Sequence, residues 1–169
     1  MSTSSHLTPE PERRLWLILE SVRRAVDKTD LKIGMLTAFA AGELALLRPG
    51  LLSALPLAAA LPLGVFAFLP FSGKPKGLAY LDPRAAKPGL GDCLIAADDV
   101  AKYALGDLIQ KMDKYLGGGI TATQYYEDIV GQILVCSRVA AKKNRLFQAA
   151  CALVALGQLG LLGRILLPS

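Results

Sequence analysis

The sequence predicts an all-α integral membrane protein: an antiparallel two-span hairpin, a helical cytoplasmic region, and a long C-terminal helix continuing into a third span. Three observations carry that prediction. Of 169 residues, 53% are hydrophobic and 20% charged, with a mean hydropathy of +0.41, high for a soluble domain. Three long stretches are almost free of charge. The Lys and Arg residues are distributed unevenly around those stretches. The same composition excludes a disordered chain, which would be poorly hydrophobic and highly charged. A disulfide-stapled mini-protein is excluded as well, because the three cysteines (Cys93, Cys136, Cys151) cannot all pair.

Residues 1–32 form the first segment, with an amphipathic helix over 9–30. Pro9 and Pro11 suit a helix start, and Leu15, Leu19, Val22 and Val26 recur at helical spacing with Arg and Glu opposite. This segment is no cleavable signal peptide. It opens with Ser, Thr and Pro, and its basic residues come late, with Glu10, Glu12 and Glu20 among them.

Residues 33–71 form the hairpin. Ile33–Leu47 is interrupted only by Glu43, and Leu51–Phe71 is a run of 21 residues without a charge. Crossing roughly 30 Å of hydrocarbon takes about 20 mostly apolar residues. The second run meets that length. The first is short, but Lys32 and Arg48 flank it and can snorkel outward. Pro56 and Pro62 permit kinks in the second span. The third span lies in residues 146–169, where Leu146–Leu167 has 22 residues with Gln158 and Arg164 among its polar insertions. Gly157, Gly160 and Gly163, with Ala149, Ala152 and Ala155, offer small-residue surfaces for close helix packing. A soluble bundle with three such helices in so small a chain would have little polar surface.

Six Lys or Arg residues fall in 1–32 and eleven in 72–145, against Arg48 in the hairpin turn and Arg164 beyond residue 146. Basic residues accumulate on the cytoplasmic side of short flanking segments. The N-terminus and residues 72–145 are therefore expected inside, and the Arg48-Pro49-Gly50 turn and the C-terminus outside. The net charge of +5 then reports topology, and no nucleic-acid partner is expected.

In the cytoplasmic region, 72–91 is rich in Pro and Gly and reads as a loop with one short element around Leu78–Leu81. From Asp92 to Leu116 the helical period returns, with Ala101, Leu105, Leu108, Met112 and Leu116 in one stripe. Gly117-Gly118-Gly119 ends that helix and Thr121 or Thr123 caps the next. On the next helix, Tyr125, Ile129, Ile133, Cys136 and Val139 make the expected apolar face. No proline stands between Thr123 and the third span, so one helix of about 45 residues, some 65–70 Å long, should join cytoplasm to membrane.

Catalysis has little to work with. The single histidine is His6, near the N-terminus, and the cysteines lack metal-ligand spacing. Asp98 and Asp99 are adjacent, hence about 100° apart on a helix and a poor carboxylate pair. The triple glycine has no following Lys-Ser/Thr and is no phosphate loop. No enzyme activity, metal or resident cofactor is expected.

Two polar groups stand out. Asp27-Lys28-Thr29-Asp30-Leu31-Lys32 sits where the first span begins. Gln132 and Lys143 are eleven residues apart on the long helix, which returns them to within about 20° of one direction. Both should share the inward face with Cys136 and Val139, and buried polar groups there need partners. Asp30 is a candidate partner for Lys143. The set is either a structural ion pair or a ligand pocket lined by Asp30, Lys32, Gln132 and Lys143. Within the spans, Glu43 either reaches the outer headgroups or lines a pore or a subunit contact, and Gln158 is a second intramembrane polar residue singled out there.

This pattern resembles the transmembrane effectors of Pycsar, the bacterial pyrimidine-cyclase anti-phage system. Asp30-Leu31-Lys32 matches that family's Asp-x-Lys element, although Ile33 stands where the family usually has Ala. Leu78-Ala79-Tyr80-Leu81 matches its short aromatic element. Gln132, Ser137 and Lys143 match its long-helix polar set, with Tyr125 just upstream. The likeness covers roughly residues 12–167. It implies a bacterial inner-membrane effector that responds to cyclic CMP or cyclic UMP from a partner cyclase and impairs membrane integrity, stopping the infected cell. The expected partners are membrane lipid, further copies of the chain and that cyclic nucleotide. A small multi-span scaffold, or a channel without nucleotide gating, is the alternative.

Overall fold

In a computed structural model, residues 11–47, 50–68, 87–89, 91–116 and 124–166 are described. Five helices follow one another: α1 (Pro11–Leu47), α2 (Leu51–Ala67), α3 (Ala97–Val100), α4 (Leu105–Leu116) and α5 (Gln124–Leu166). No strand occurs among the described residues. His6, Leu78–Leu81, the triple glycine and the Thr121/Thr123 cap lie outside them.

The amphipathic helix expected over 9–30 and the first apolar run are one element, the 37-residue α1. Proline, the usual helix breaker, does not recur between Pro11 and Pro49, so the charge cluster at 27–32 passes without a break. The long C-terminal helix is observed as expected, as the 43-residue α5. It is the one described helix long and apolar enough to cross a membrane. The apolar α2 has 17 residues, with Pro56 and Pro62 inside it, about 26 Å at 1.5 Å per residue.

The chain divides into two compact units, Met1–Val26 with Leu78–Ala141, and Asp27–Gly77 with Lys142–Ser169. In the first, α3, α4 and the N-terminal parts of α1 and α5 share a core. Leu15, Ile18 and Leu19 pack there with Val100, Leu108, Met112, Tyr126, Ile129 and Ile133. The register of α5 differs from the expected one by about one residue. Tyr126, Ile129, Val130, Ile133, Leu134 and Ser137 are buried, while Tyr125 is 51% exposed. Burial pushes the Tyr126 hydroxyl pKa up, with Asp113 adding to it.

The single helix expected from Asp92 to Leu116 is also revised. Residues 101–104 turn between α3 and α4, and Leu105 is exposed rather than part of the buried stripe. Arg138 of α5 supplies the reason. Its Nη2 donates to the Tyr103 carbonyl at 2.8 Å and its Nε to the Ala101 carbonyl at 3.5 Å, so a cation replaces helical N–H groups as donor to those oxygens.

In the second unit, α2 folds back on α1. Gly34 lies by Phe68 and Thr37 by Gly64, and Ala40 packs with Leu57 and Ala60: numbers rise on one helix as they fall on the other. α5 completes the layer through Val154, Leu153 and Leu161. Close approach of α5 to α2 occurs at Gly157, facing Leu57 and Ser53, and at Gly160, facing Ser53. That is the small-residue packing the sequence indicates for those two glycines; Gly163 faces open space.

Candidate functional site

In the first unit α1 and α5 run side by side and parallel, because two contacts share one sequence offset. Trp16 Nε1 donates to the Tyr125 hydroxyl at 3.1 Å, and Arg23 Nη2 donates to Gln132 Oε1 at 3.2 Å, each pair 109 residues apart. Beside the second contact is an open groove of about 640 Å³, lined by Arg23, Glu127, Asp128, Gly131, Gln132 and Val135 among others. On α5, Glu127 and Gly131 are four apart, as are Asp128 and Gln132, so these four share one strip of helix surface. Gln132, expected to face inward, is exposed. The one-residue change of register explains it: Ile133 takes the fully buried position.

The loop preceding α4 is held by a polar clasp that single-residue reasoning does not find. The Tyr103 hydroxyl donates to Asp92 Oδ2 at 2.9 Å and accepts from the Lys111 ammonium, which also sits 4.7 Å from the Tyr103 ring centroid. Lys102 bridges Asp92 at 3.3 Å and Asp99 at 2.6 Å. The Gly89 N–H, with Tyr103 and Lys102, holds the Asp92 carboxyl below its usual range. Lys102, with the Cys93 N–H, does the same for Asp99, and Asp99 in turn raises Lys102. Asp98 and Asp99 do not act as a pair: Asp99 turns to Lys102 while Asp98 is exposed.

In the second unit, Lys143 Nζ contacts both carboxylate oxygens of Asp30, at 2.6 and 2.7 Å. The side chains are 12% and 30% exposed, so the pair is largely withdrawn from water. Lys32 is exposed and forms no ion pair among the described residues. Gln158 donates to Glu43 Oε1. Glu43 thus turns to a neighbouring helix of its own chain, an arrangement not among the sequence readings. Its other oxygen, Oε2, is buried without a hydrogen-bond partner among the described residues.

Of the four residues singled out as a ligand set, the structure brings Asp30 and Lys143 together and puts Gln132 in the first unit with Arg23. Arg23 had no signal of its own in the sequence. Ser137, which with Gln132 and Lys143 matches the family's long-helix polar set, is fully buried, and its hydroxyl has no partner among the described residues. No group of three His, Cys, Asp or Glu able to hold a metal occurs among the described residues.

The family model described as Pycsar effector protein domain matches residues 14–168. No curated protein and no solved structure matches the chain.

Proposed function

Because the chain belongs to the Pycsar effector family, a membrane-associated effector family of anti-phage defence, we propose that cyclic CMP or cyclic UMP activates it to impair the inner membrane and stop the infected cell. The partner cyclase of the system supplies the nucleotide. In this reading α1 (residues 33–47) and α2 form a two-span hairpin and α5 (residues 146–166) a third span, with the N-terminus cytoplasmic and several copies acting together. One three-span chain cannot enclose an aqueous path, so permeabilisation needs an oligomer.

The observation that carries this proposal is the continuity of α5. Residues 124–141 belong to the first unit, where Glu127, Gly131 and Gln132 line the groove, and 142–166 pack in the apolar second unit. A ligand that shifts the first part of an unbroken helix displaces the second. The Gly157–Leu57 and Gly160–Ser53 contacts are tight, small-residue surfaces able to take two packings. The Asp30–Lys143 pair acts as a structural clamp elsewhere in the same unit.

The test is leakage of ions or dye from proteoliposomes carrying the full chain. Leakage is expected with cyclic CMP or cyclic UMP and not without nucleotide. A chain that remains monomeric and leaves vesicles intact with either nucleotide sinks the proposal and favours a membrane scaffold.

A further inference from the structure

We propose that the Arg23–Gln132 groove is the nucleotide site, with Arg23 holding the cyclic phosphate and Glu127 and Asp128 taking hydrogen-bond donors of a cytosine base and its ribose. It rests on the nucleotide-gated reading above and adds where the ligand binds and which base is preferred.

Charge pairing in the first unit motivates the assignment. Arg24 has Glu20 at 2.5 Å, and Lys102 has two carboxylates. Arg23, on the groove, has the neutral oxygen of Gln132 as its described polar contact. A guanidinium offers five donors and suits a phosphate through paired hydrogen bonds. Glu127 and Asp128, on the same groove, form no hydrogen bond or ion pair among the described residues. Ionised carboxylates only accept, so they call for a ligand that presents donors.

The groove therefore offers a cation to an anion and two carboxylates to hydrogen-bond donors. A cyclic pyrimidine nucleotide has that form: one phosphate charge, a ribose hydroxyl and a base edge. Cytosine presents the N4 amine, a donor that carboxylates accept, where uracil presents the acceptor O4. The free amide N–H groups of Gln132 complement the acceptors on the same base edge. Nothing lies within 4 Å of a Cβ built at Gly131, so helix surface there is open to a flat ring. The volume falls within the range of small-molecule sites.

Calorimetric titration of the detergent-purified full chain with cyclic CMP and cyclic UMP tests this. Wild type should bind cyclic CMP about tenfold or more tightly than cyclic UMP. Arg23→Gln should weaken binding of both by about tenfold or more. Gly131→Leu, which fills the groove and changes no charge, should do the same, and Glu127→Gln/Asp128→Asn should lower the preference for cyclic CMP. Lys114→Gln, exposed on α4 and away from the groove lining, should bind as wild type. Circular dichroism and gel filtration verify folding of each variant. Wild-type affinity in both Arg23→Gln and Gly131→Leu overturns the site while leaving nucleotide gating intact. Equal affinity of wild type for the two nucleotides overturns the base assignment. Failure of wild type to bind either one overturns both the site and the gating.

Discussion

Replacing Gly157 by Ala adds one methyl group where α5 meets α2. The new Cβ would lie 2.6 Å from Leu57 Cγ, 3.0 Å from Leu57 Cδ2 and 3.3 Å from the Ser53 carbonyl oxygen. Leu57 is 0% exposed, and the carbonyl belongs to the backbone of α2, so neither gives way freely. Overpacking of this kind costs about 1–3 kcal/mol. Against it stands a gain of about 1 kcal/mol for Ala over Gly inside a helix. Gly42 in α1 supplies the matched reference, because nothing lies within 4 Å of a Cβ there. Gly42→Ala should therefore stabilise by about 1 kcal/mol, and the two variants should differ by the steric cost alone, about 1–3 kcal/mol. Unfolding in mixed detergent micelles, followed by circular dichroism, measures both. Adding Leu57→Ala to Gly157→Ala should recover part of the loss, since the obstructing atoms are then gone. Equal stability of Gly157→Ala and Gly42→Ala would refute the close approach of α5 to α2.

Removing Lys143 leaves the Asp30 carboxylate largely withdrawn from water, so Lys143→Ala should cost about 1–3 kcal/mol. Asp30→Asn/Lys143→Ala should cost less than the sum of the single changes, a coupling readable in a double-mutant cycle. The clasp gives a pH prediction with a definite sign. Asp92 and Asp99 have folded pKa values below their ordinary ones, so their stabilisation is complete above about pH 4 and is lost as pH falls through the lower folded values. Lys102 is raised, so its share is complete below about pH 10 and is lost as pH rises through the higher folded value. Protection of α4 amides, taken relative to the intrinsic exchange rate at each pH, should therefore fall below about pH 4 in wild type, with Asp92→Asn showing the lower protection already at neutral pH. Topology is read by labelling single cysteines in a chain freed of its native ones. A cysteine at Gly50 should react from outside intact cells, and one at Gly89 only after permeabilisation.

Long-range helical order was legible where the local signals agreed. The proline-free stretch after Thr123 marks α5, and the spaced glycines mark its close contact with α2. Two boundaries misled for opposite reasons. The charge cluster at 27–32 looks like a frontier between segments, yet charges do not stop a helix, and α1 continues through it. Residues 101–104 contain no proline or glycine, yet the chain turns there because Arg138, far along the sequence, takes the carbonyls. Asp30 was matched with Lys143 because a buried ammonium demands a carboxylate. Arg23 was invisible, since an arginine on an amphipathic helix reads as solvated, and only the parallel register of α1 and α5 sets it beside Gln132. The adjacent tyrosines 125 and 126 show the limit of periodicity: a shift of one residue exchanged the exposed ring for the buried one.

The first unit is built from two pieces of chain, Met1–Val26 and Leu78–Ala141, and this fixes an order of events during synthesis. Contacts 109 residues apart cannot close until the first part of α5 has left the ribosome. By then residues 27–77 have already been made and are available to the insertion machinery. The proposed ligand-responsive part is thus closed only after the residues of α1 and α2 have been made. A chain terminated before residue 125 carries α1 and α2 without either of these contacts and without a groove. Excising the apolar segments to obtain a soluble fragment would leave α1 and α5 unjoined, so such fragments should be made by linking residue 26 to residue 78 through a new connection rather than by simple truncation.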